Sequence, residues 1–416
     1  MVNRQVAPTE ADVVVIGAGA FGLSAAYHLA SLGAGRVLVL DRYEPASQTS
    51  PRAAGLFKLV QADETLTRLA GLSIAIVTGF EAATGVPMPH VVSGSLLLAR
   101  TTAHAQLVRD EAAASQGWGV ELEMVDGEGA HRLAPYLTGI GVVAGCSVPG
   151  DIYVEEPASL LAAYRTAGER LGVEVIGRTP VTAIRVQGSR ITGVVTPAGE
   201  VRTETVIDAA GAWAAAVGQL ADVRVPIALV RHQLLITEPI AGVAATEPIA
   251  RIVDAAVYVR PARGGLMMGG FEPDPLPFDP RDAAPDFSMD QVPLDPSVLD
   301  HFSGSIKDQV PVLSKTAVAE HRGGLFTMTA DGRFLLGPAP DFDGLWLATG
   351  CNGSGFSLAS GIGRVLAEWI TTGQPSLDVR SLDPKRFAGA WLDEEALTAA
   401  GVWQYANYYT SRKISA

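Results

Sequence analysis

Cysteine is nearly missing from this chain: 416 residues contain two, Cys146 and Cys351, far apart in sequence. Two thiols cannot build a disulfide framework, and a reducing cytoplasm is the simplest home for them. Positive charge is also in short supply. Lys and Arg number 31 against 44 Asp and Glu, giving a net charge of −13 and a pI of about 5.0. That balance argues against nucleic acid and anionic membrane as partners. Nowhere do 18 uninterrupted apolar residues occur, so no membrane insertion is expected. The first ten residues lack an apolar core of signal-peptide length, which again favours the cytoplasm. The seven histidines show no metal-ligand spacing, so no metal site is expected. No G-x-S-x-G elbow is found; Gly353-Ser354-Gly355 is one residue too tight. Neither an internal repeat nor a long linker interrupts the chain. What remains is a 48% hydrophobic, 18% charged composition, with length enough for two domains.

Residues 12–42 organise the rest. Val13 to Ile16 form a short apolar run, as suits a strand buried on both faces. Gly17, Gly19 and Gly22, with Ala20 and Phe21 between them, fit G-x-G-x-x-G. The first glycine allows a tight turn, the second lets backbone approach a pyrophosphate, and the third lets the following helix pack on the strand. The helix start offers free N–H groups and a positive dipole end to phosphates. Val37-Leu-Val-Leu then reads as a second parallel strand ending at Asp41, where an acid is expected to bind ribose hydroxyls. Strand, turn, helix and acid together predict a dinucleotide site. A loop rich in turn formers follows, from Arg42 through Ser50, Arg52, Ala53 and Ala54 to Leu56, and returns over the nucleotide.

Further along, periodicity predicts helices near 62–83, 102–116 and 157–171 and a strand over Val91–Ala99. Short strands are expected at 173–176, 181–186 (starting at Val181) and 191–196. Another ends at Asp208, running into Ala210, Gly211 and Trp213, and should lie beside the first strand. Ile227–Thr237 and Ala255–Arg260 are β-branched, apolar runs suited to an antiparallel sheet. Residues 271–300, rich in proline and aspartate, read as an irregular surface excursion. The end repeats the opening: strand 344–349, a glycine turn carrying Gly350, Cys351, Asn352, Gly353, Ser354 and Gly355, then a helix from Phe356. Two such units at opposite ends of one chain fit a flavin better than a nicotinamide. The second helix start would face the ring's pyrimidine and stabilise its anionic reduced form, unless that turn is only a packing device. Cys351 stands open as a neighbour of the ring or a small buried filler.

These pieces resemble the D-amino-acid oxidase superfamily, and more narrowly the flavin part of sarcosine and dimethylglycine dehydrogenases and oxidases. The resemblance is carried by Gly17–Gly22, Arg231-His232-Gln233 through Pro239, Val257-Tyr258-Val-Arg260-Pro261 through Pro273, Thr329-Ala-Asp331-Gly332 through Pro338, Gly350–Phe356 and Gly361-Ile-Gly363-Arg364, over residues 10–390. It implies an α/β architecture: a Rossmann-like FAD-binding domain from discontinuous segments (8–85, 145–222 and 328–390) plus an α+β substrate domain with a mainly antiparallel sheet (86–144 and 223–327). A C-terminal tail, 391–416, looks like a remnant helix. It also implies oxidation of a C–N single bond in a small amine by hydride transfer to flavin N5, with imine hydrolysis and O2 or another carrier as acceptor. A D-amino-acid or imino-acid dehydrogenase, or a flavin-bearing subunit of a larger complex, are the other readings; a homo- or hetero-oligomer is compatible with each.

Alternation puts Val230, His232, Leu234 and Ile236 on one face, so His232 should face a cavity. Ala256, Tyr258 and Arg260 share a face likewise. His232 and Tyr258 match positions that dimethylglycine oxidases use beside the substrate, a histidine to take a proton or orient the amine and a tyrosine to donate a hydrogen bond. The plain reading of both is a satisfied core residue. Three departures from the family pattern stand out. First, Arg52 occupies the place of the histidine that carries flavin covalently in sarcosine and dimethylglycine dehydrogenases. Gly324 falls near the tethering cysteine of monomeric sarcosine oxidases, so FAD is expected to be noncovalent. Second, Phe326 stands where glycine oxidases keep the arginine that holds a substrate carboxylate. Arg52 or Arg260 would then take that task, Arg260 slightly preferred, or the substrate lacks a carboxylate there. Arg52 has a further reading, pairing with backbone carbonyls. Third, longer relatives continue into a folate-binding domain; without it, formaldehyde from an N-demethylation would leave unassisted or to a separate protein.

Overall fold

A computed structural model describes residues 8–387 and 393–410. The nucleotide-type sheet has six strands in the order Leu335–Pro338, Leu345–Thr349, Thr205–Asp208, Val13–Ile16, Val37–Leu40, Glu174–Ile176. All neighbours are parallel except the edge pair Leu335–Pro338 and Leu345–Thr349. The apolar runs of this sheet are buried on both faces, as parallel strands require. On one face Val13, Val15, Val37 and Val39 pack against helices Ala20–Ser31, Pro157–Arg170 and Gly355–Thr372. On the other, Val14, Ile16, Leu38 and Leu40 meet Ile184, Ile191, Val194 and Val201.

That second face is covered by a small sheet of its own. Ala183–Gln187 and Arg190–Thr196, with Gly199–Arg202, form their own antiparallel sheet rather than extending the nucleotide sheet. Hairpin-length connections favour local antiparallel pairing over a crossover. The strand ending at Asp208 does lie beside the first strand, Val13 against Thr205 through Ile16 against Asp208.

The second large sheet has eight strands: Val318–Met328, Ala228–Thr237, Gly265–Gly270, Val257–Ala262, Ile249–Ile252, Ser95–Ala99, Ala144–Val148, Glu123–Val125. It is antiparallel except where Ile249–Ile252 runs parallel to Ser95–Ala99. Ala144–Val148 therefore belongs here and not with the nucleotide segment expected from 145. Its partner Ser95–Ala99 lies in the substrate segment, and the chain crosses over only afterwards. The run from Ala255 starts late as well. Val253–Ala255 is a 3-10 turn and Ala256 has φ +54°, so alternation begins at Val257. Within 271–300 lie a short 3-10 turn, Met289–Gln291, and the start of helix Pro296–Ser305, whose first-turn proline suits a helix entry.

Two helices complete the frame. Glu64–Thr84 is, among the described residues, the one helix long and apolar enough to cross a membrane by length and composition. Here its Leu66, Leu69, Val77 and Phe80 are buried, and its Ser73 hydroxyl accepts from Gly361 N–H at 2.8 Å, joining it to Gly355–Thr372. Glu394–Ala406 is a full helix rather than a remnant, N-capped by Asp393, and it lies across the second sheet with Gly401 pressed on Ala228. Residues 388–390 of the expected nucleotide segment and 391–392 and 411–416 of the expected tail lie outside the described residues.

Candidate active site

One cavity of about 580 Å³ runs from the glycine turn to the second sheet. Its nucleotide end is built by backbone proximity. A Cβ at Gly17 would lie 2.5 Å from the Ala209 carbonyl, with φ +107° there, and one at Gly22 would lie 1.8 Å from the Gly17 carbonyl. Only glycine permits both approaches. Asp41 ties the second strand to the turn: Oδ2 accepts from Ala18 N–H at 2.7 Å and Oδ1 from Tyr43 N–H at 2.7 Å. Burial raises its carboxyl above the ordinary value, opposed by those two amides. Ser50 Oγ accepts from Ala20 N–H at 3.1 Å and fastens the returning loop over the helix start.

Of the residues expected at a cofactor, Gly17, Gly19, Ala20, Phe21, Asp41, Arg42, Ser50, Arg52, Ala53, Ala54, Val181, Ala210, Gly211, Trp213, Gly353, Gly355 and Phe356 line this cavity. Gly22, Gly350, Asn352 and Ser354 stand outside its wall and shape the turns instead. Asn352, at φ +43°, accepts from Thr329 N–H at 2.9 Å and donates to the Gly350 carbonyl at 2.7 Å. Cys351 lines the cavity.

At the other end His232 is buried, with both ring nitrogens engaged: Nδ1 at 2.8 Å from the Tyr405 hydroxyl and Nε2 at 2.9 Å from the Tyr258 hydroxyl. A neutral imidazole donates from one nitrogen and accepts at the other. Desolvation pushes its pKa down to about 3, so the ring is neutral across the working range. Register explains how Tyr258 reaches it. Tyr258 pairs with Gly269, which pairs with Leu234, two residues from His232. A Cβ at Gly269 would lie 2.3 Å from the Tyr258 hydroxyl, so this glycine lets the phenol cross the intervening strand. Phe326 stacks on His232, centroids 4.3 Å apart, and so walls the imidazole with an apolar ring.

The two arginines expected to hold a carboxylate are both engaged by protein partners. Arg260 is fully buried away from the cavity wall. Its Nε donates to the Ala54 carbonyl at 2.9 Å, Nη1 to Pro261 O at 2.6 Å and Nη2 to Glu155 O at 3.2 Å, and the guanidinium lies 4.5 Å from the Tyr153 ring centroid. Burial lowers its pKa to about 10. It shares a face with Tyr258, but that face extends beneath the 53–56 loop, and there the side chain is spent on carbonyls. Arg52 lines the cavity, yet its guanidinium donates to Ser47 O at 2.6 Å, to Gln48 O and to Asp290. It clamps its own loop.

Residues that pattern alone did not single out complete the site. Lys58, Arg251, Phe271, Arg322, Tyr408 and Tyr409 line the same cavity. Lys58 Nζ donates to the Tyr408 hydroxyl at 2.6 Å, and Ser354 Oγ lies 2.9 Å from that same hydroxyl. Tyr408 stacks on Phe271 at 3.9 Å. The aromatic run Trp403 to Tyr409 was the available signal for the tail's share. Among the described residues no group of three or more His, Cys, Asp or Glu could hold a metal ion.

The FAD dependent oxidoreductase (DAO) family profile matches residues 12–369. The chain belongs to this family. Human mitochondrial sarcosine dehydrogenase is 32% identical over 393 residues, covering 93% of this chain and 42% of that protein. Rat mitochondrial dimethylglycine dehydrogenase is 30% identical, covering 92% of this chain and 45% of that one. The chain thus spans less than half the length of these curated relatives. Among solved structures, L-proline dehydrogenase from P. horikoshii superposes with a TM-score of 0.84 at 24% identity, covering 93% of this chain and 100% of that one, which shows a shared fold. As a DAO family FAD-dependent oxidoreductase, this chain has a cradle that fits the dinucleotide. The Gly17 and Gly22 approaches leave no room for a Cβ, and the first residues of both glycine-turn helices, Ala20 and Phe21 in one and Gly355 and Phe356 in the other, line the cavity.

Proposed function

We propose that this family member oxidises the C–N bond of a small secondary or tertiary amine, with N-methyl amino acids of the sarcosine and dimethylglycine kind as the substrate class. One observation carries the reading: a buried, doubly hydrogen-bonded His232 sits in the same cavity as the dinucleotide cradle. Bound FAD supplies the hydride acceptor for the carbon next to nitrogen. Gly17, Gly19, Asp41 and Ser50 would hold its phosphate and ribose parts, and the Gly355 helix start would face its ring.

The chain's own residues do the rest. An ammonium has no lone pair to expel a hydride, so the amine must bind neutral. Tyr258 and His232 position the amine: the phenol meets the nitrogen, and the neutral imidazole behind it fixes the phenol through Nε2. Phe271, Phe326 and Tyr408 exclude water, which keeps His232 neutral and delays imine hydrolysis until release. FAD is held noncovalently in this reading: Arg52 is committed to carbonyls and Asp290, and Gly324 has no side chain to offer. Both cysteines are free, in keeping with a reducing, cytoplasmic setting.

The test is anaerobic titration of the yellow protein with sarcosine, dimethylglycine, D-amino acids and L-proline. Bleaching by an N-methyl amino acid is expected. Bleaching by D-amino acids or proline alone moves the substrate to the D-amino-acid or imino-acid class. No bleaching across the panel favours a flavin-bearing subunit. Acid precipitation should leave the colour in the supernatant; a yellow pellet refutes noncovalent attachment.

A further inference from the structure

We infer that Arg251, with Lys58 beside it, is the anchor for the substrate's carboxylate and so selects N-alkyl amino acids over plain amines. This rests on the amine-oxidation reading above. Strand register lays out the cavity face of the second sheet as one transverse row. Leu97 pairs with Arg251, Arg251 with Tyr258, Tyr258 with Gly269, Gly269 with Leu234, and Leu234 with Arg322. Neighbouring strands lie about 4.8 Å apart. Arg251 is thus one strand from Tyr258, and Arg322 is three strands away on the other side, roughly 14 Å. In an α-amino acid the carboxylate follows the amine by a single carbon. The Tyr258 hydroxyl, reaching over Gly269 to His232, lies between the two arginines, both of which line the cavity, so their own partners decide which one can take a carboxylate.

Electrostatics favours Arg251. Arg251 is 1% exposed and lines the cavity. Its Nη2 donates to Ser95 Oγ at 3.1 Å and lies 3.6 Å from Asp151 Oδ2, while Nε has no hydrogen-bond acceptor. Asp151 does not line the cavity, and its own oxygens also accept from Leu59 N–H at 2.7 Å and from the Ser95 hydroxyl. Arg251 therefore turns part of its donor fork forward while its counter-ion stays behind, fixing the guanidinium. Lys58, buried on the same wall, is close enough to Asp151 to join Arg251 in opposing the burial that raises that carboxyl. Arg322, by contrast, faces two carboxylates, Glu320 and Glu156, which repel an incoming acid even though its Nη1 is unpartnered.

The experiment uses methoxyacetate, the oxygen isostere of sarcosine, which cannot be oxidised at nitrogen. Its binding to the FAD-loaded protein is read from the perturbed visible spectrum of the flavin, apart from turnover. Arg251→Lys keeps a cation for Asp151 but loses the fork; Arg251→Met removes both. Methoxyacetate should bind the wild type, about 10-fold more weakly to Arg251→Lys and about 100-fold more weakly to Arg251→Met. KM for sarcosine should rise in parallel while that for uncharged N-methylpropylamine changes less than about 3-fold. Melting curves identify a variant that has not folded, in which case the lysine variant decides alone. Unaltered methoxyacetate affinity in Arg251→Lys, or loss confined to Arg322→Met, overturns the assignment. Should methoxyacetate bind through Arg251 while no amine bleaches the flavin, the anchor stands and the amine reading falls. The converse result separates them the other way.

Discussion

Asp208 is a buried carboxyl with one oxygen unpartnered, and removing its charge should stabilise the protein in a pH-dependent way. It ends the strand beside the glycine turn and is fully buried. Oδ1 accepts from Ala210 N–H at 3.1 Å and Oδ2 has no partner. Burial pushes its pKa from 3.8 up to about 8, with the Ala210 amide opposing. Between those values the unfolded carboxyl is ionised and the folded one keeps its proton. The native state then binds more protons, so stability falls as pH rises across that window. At about 1.36 kcal/mol per pH unit the full gap is worth up to roughly 6 kcal/mol. Relaxation and water entry around a buried carboxylate should halve it, to about 3 kcal/mol. An asparagine at this position would have the same shape, accept the same amide and never ionise. Asp208→Asn in the FAD-loaded protein should therefore match wild type near pH 4.5 and melt several degrees higher at pH 8.5. The assay is the midpoint of flavin release or circular dichroism against pH for both proteins. His232 contributes the opposite slope, its stabilisation being lost as pH falls below 6.5, but it is present in both and cancels. Parallel curves for the two proteins, or a variant weaker at pH 8.5, would refute the reasoning.

Gly17→Ala should fold but purify colourless, because the added methyl meets the Ala209 carbonyl at 2.5 Å; the ratio of visible to ultraviolet absorbance reads this directly. Tyr258→Phe strands His232 Nε2 in the core at a cost of about 1–3 kcal/mol and should slow flavin reduction about 100-fold with FAD retained. His232→Ala should act alike, and unchanged stopped-flow reduction rates in either would remove the pair from the chemistry. With His232 neutral above about pH 3, the pH dependence of kcat/KM should track the pKa of the amine supplied. A limb fixed near neutrality for every amine would contradict this.

How much of this was legible in sequence depends on how local the cause is. The glycine turns and five strands of the six-stranded sheet, all but the edge strand Leu335–Pro338, follow from apolar runs and backbone needs that act within a few residues of each other. His232 as a cavity residue follows from two-residue alternation in a long strand. Which arginine reaches the cavity beside Tyr258 is poorly legible in pattern for a physical reason: alternation gives a face but not a position across the sheet. Arg260 shares Tyr258's face yet ends among the carbonyls of Ala54, Pro261 and Glu155, whereas Arg251 lies in Tyr258's own row through pairings that no single strand encodes. Arg52 admits two readings, and its contacts with Ser47 O, Gln48 O and Asp290 favour the structural one. The start of the second nucleotide segment slips from 145 because Ala144–Val148 pairs backward with Ser95–Ala99, a long-range choice.

The tail helix shows why the catalytic end needs the whole chain. Only 6% of the residues are aromatic, yet Tyr258, Phe271, Phe326, Tyr405, Tyr408 and Tyr409 gather around or next to one imidazole. Each ring pair is worth about 0.5–1.5 kcal/mol beyond burial, too little to explain the arrangement by stability. Its effect is on charge. Desolvation alone holds the His232 pKa at about 3, and water admitted to the ring would let it climb back toward 6.5. The Tyr405 hydroxyl on Nδ1 and the Phe271–Tyr408 stack close that side, and both tyrosines come from the last described segment. Gly353 lets the wall approach the nucleotide domain, since a Cβ there would stand 3.0 Å from the Tyr408 ring and 3.3 Å from Phe271. Segments around 271, 353 and 408 thus meet at one point, and the protonation state of the histidine is set by how tightly they meet.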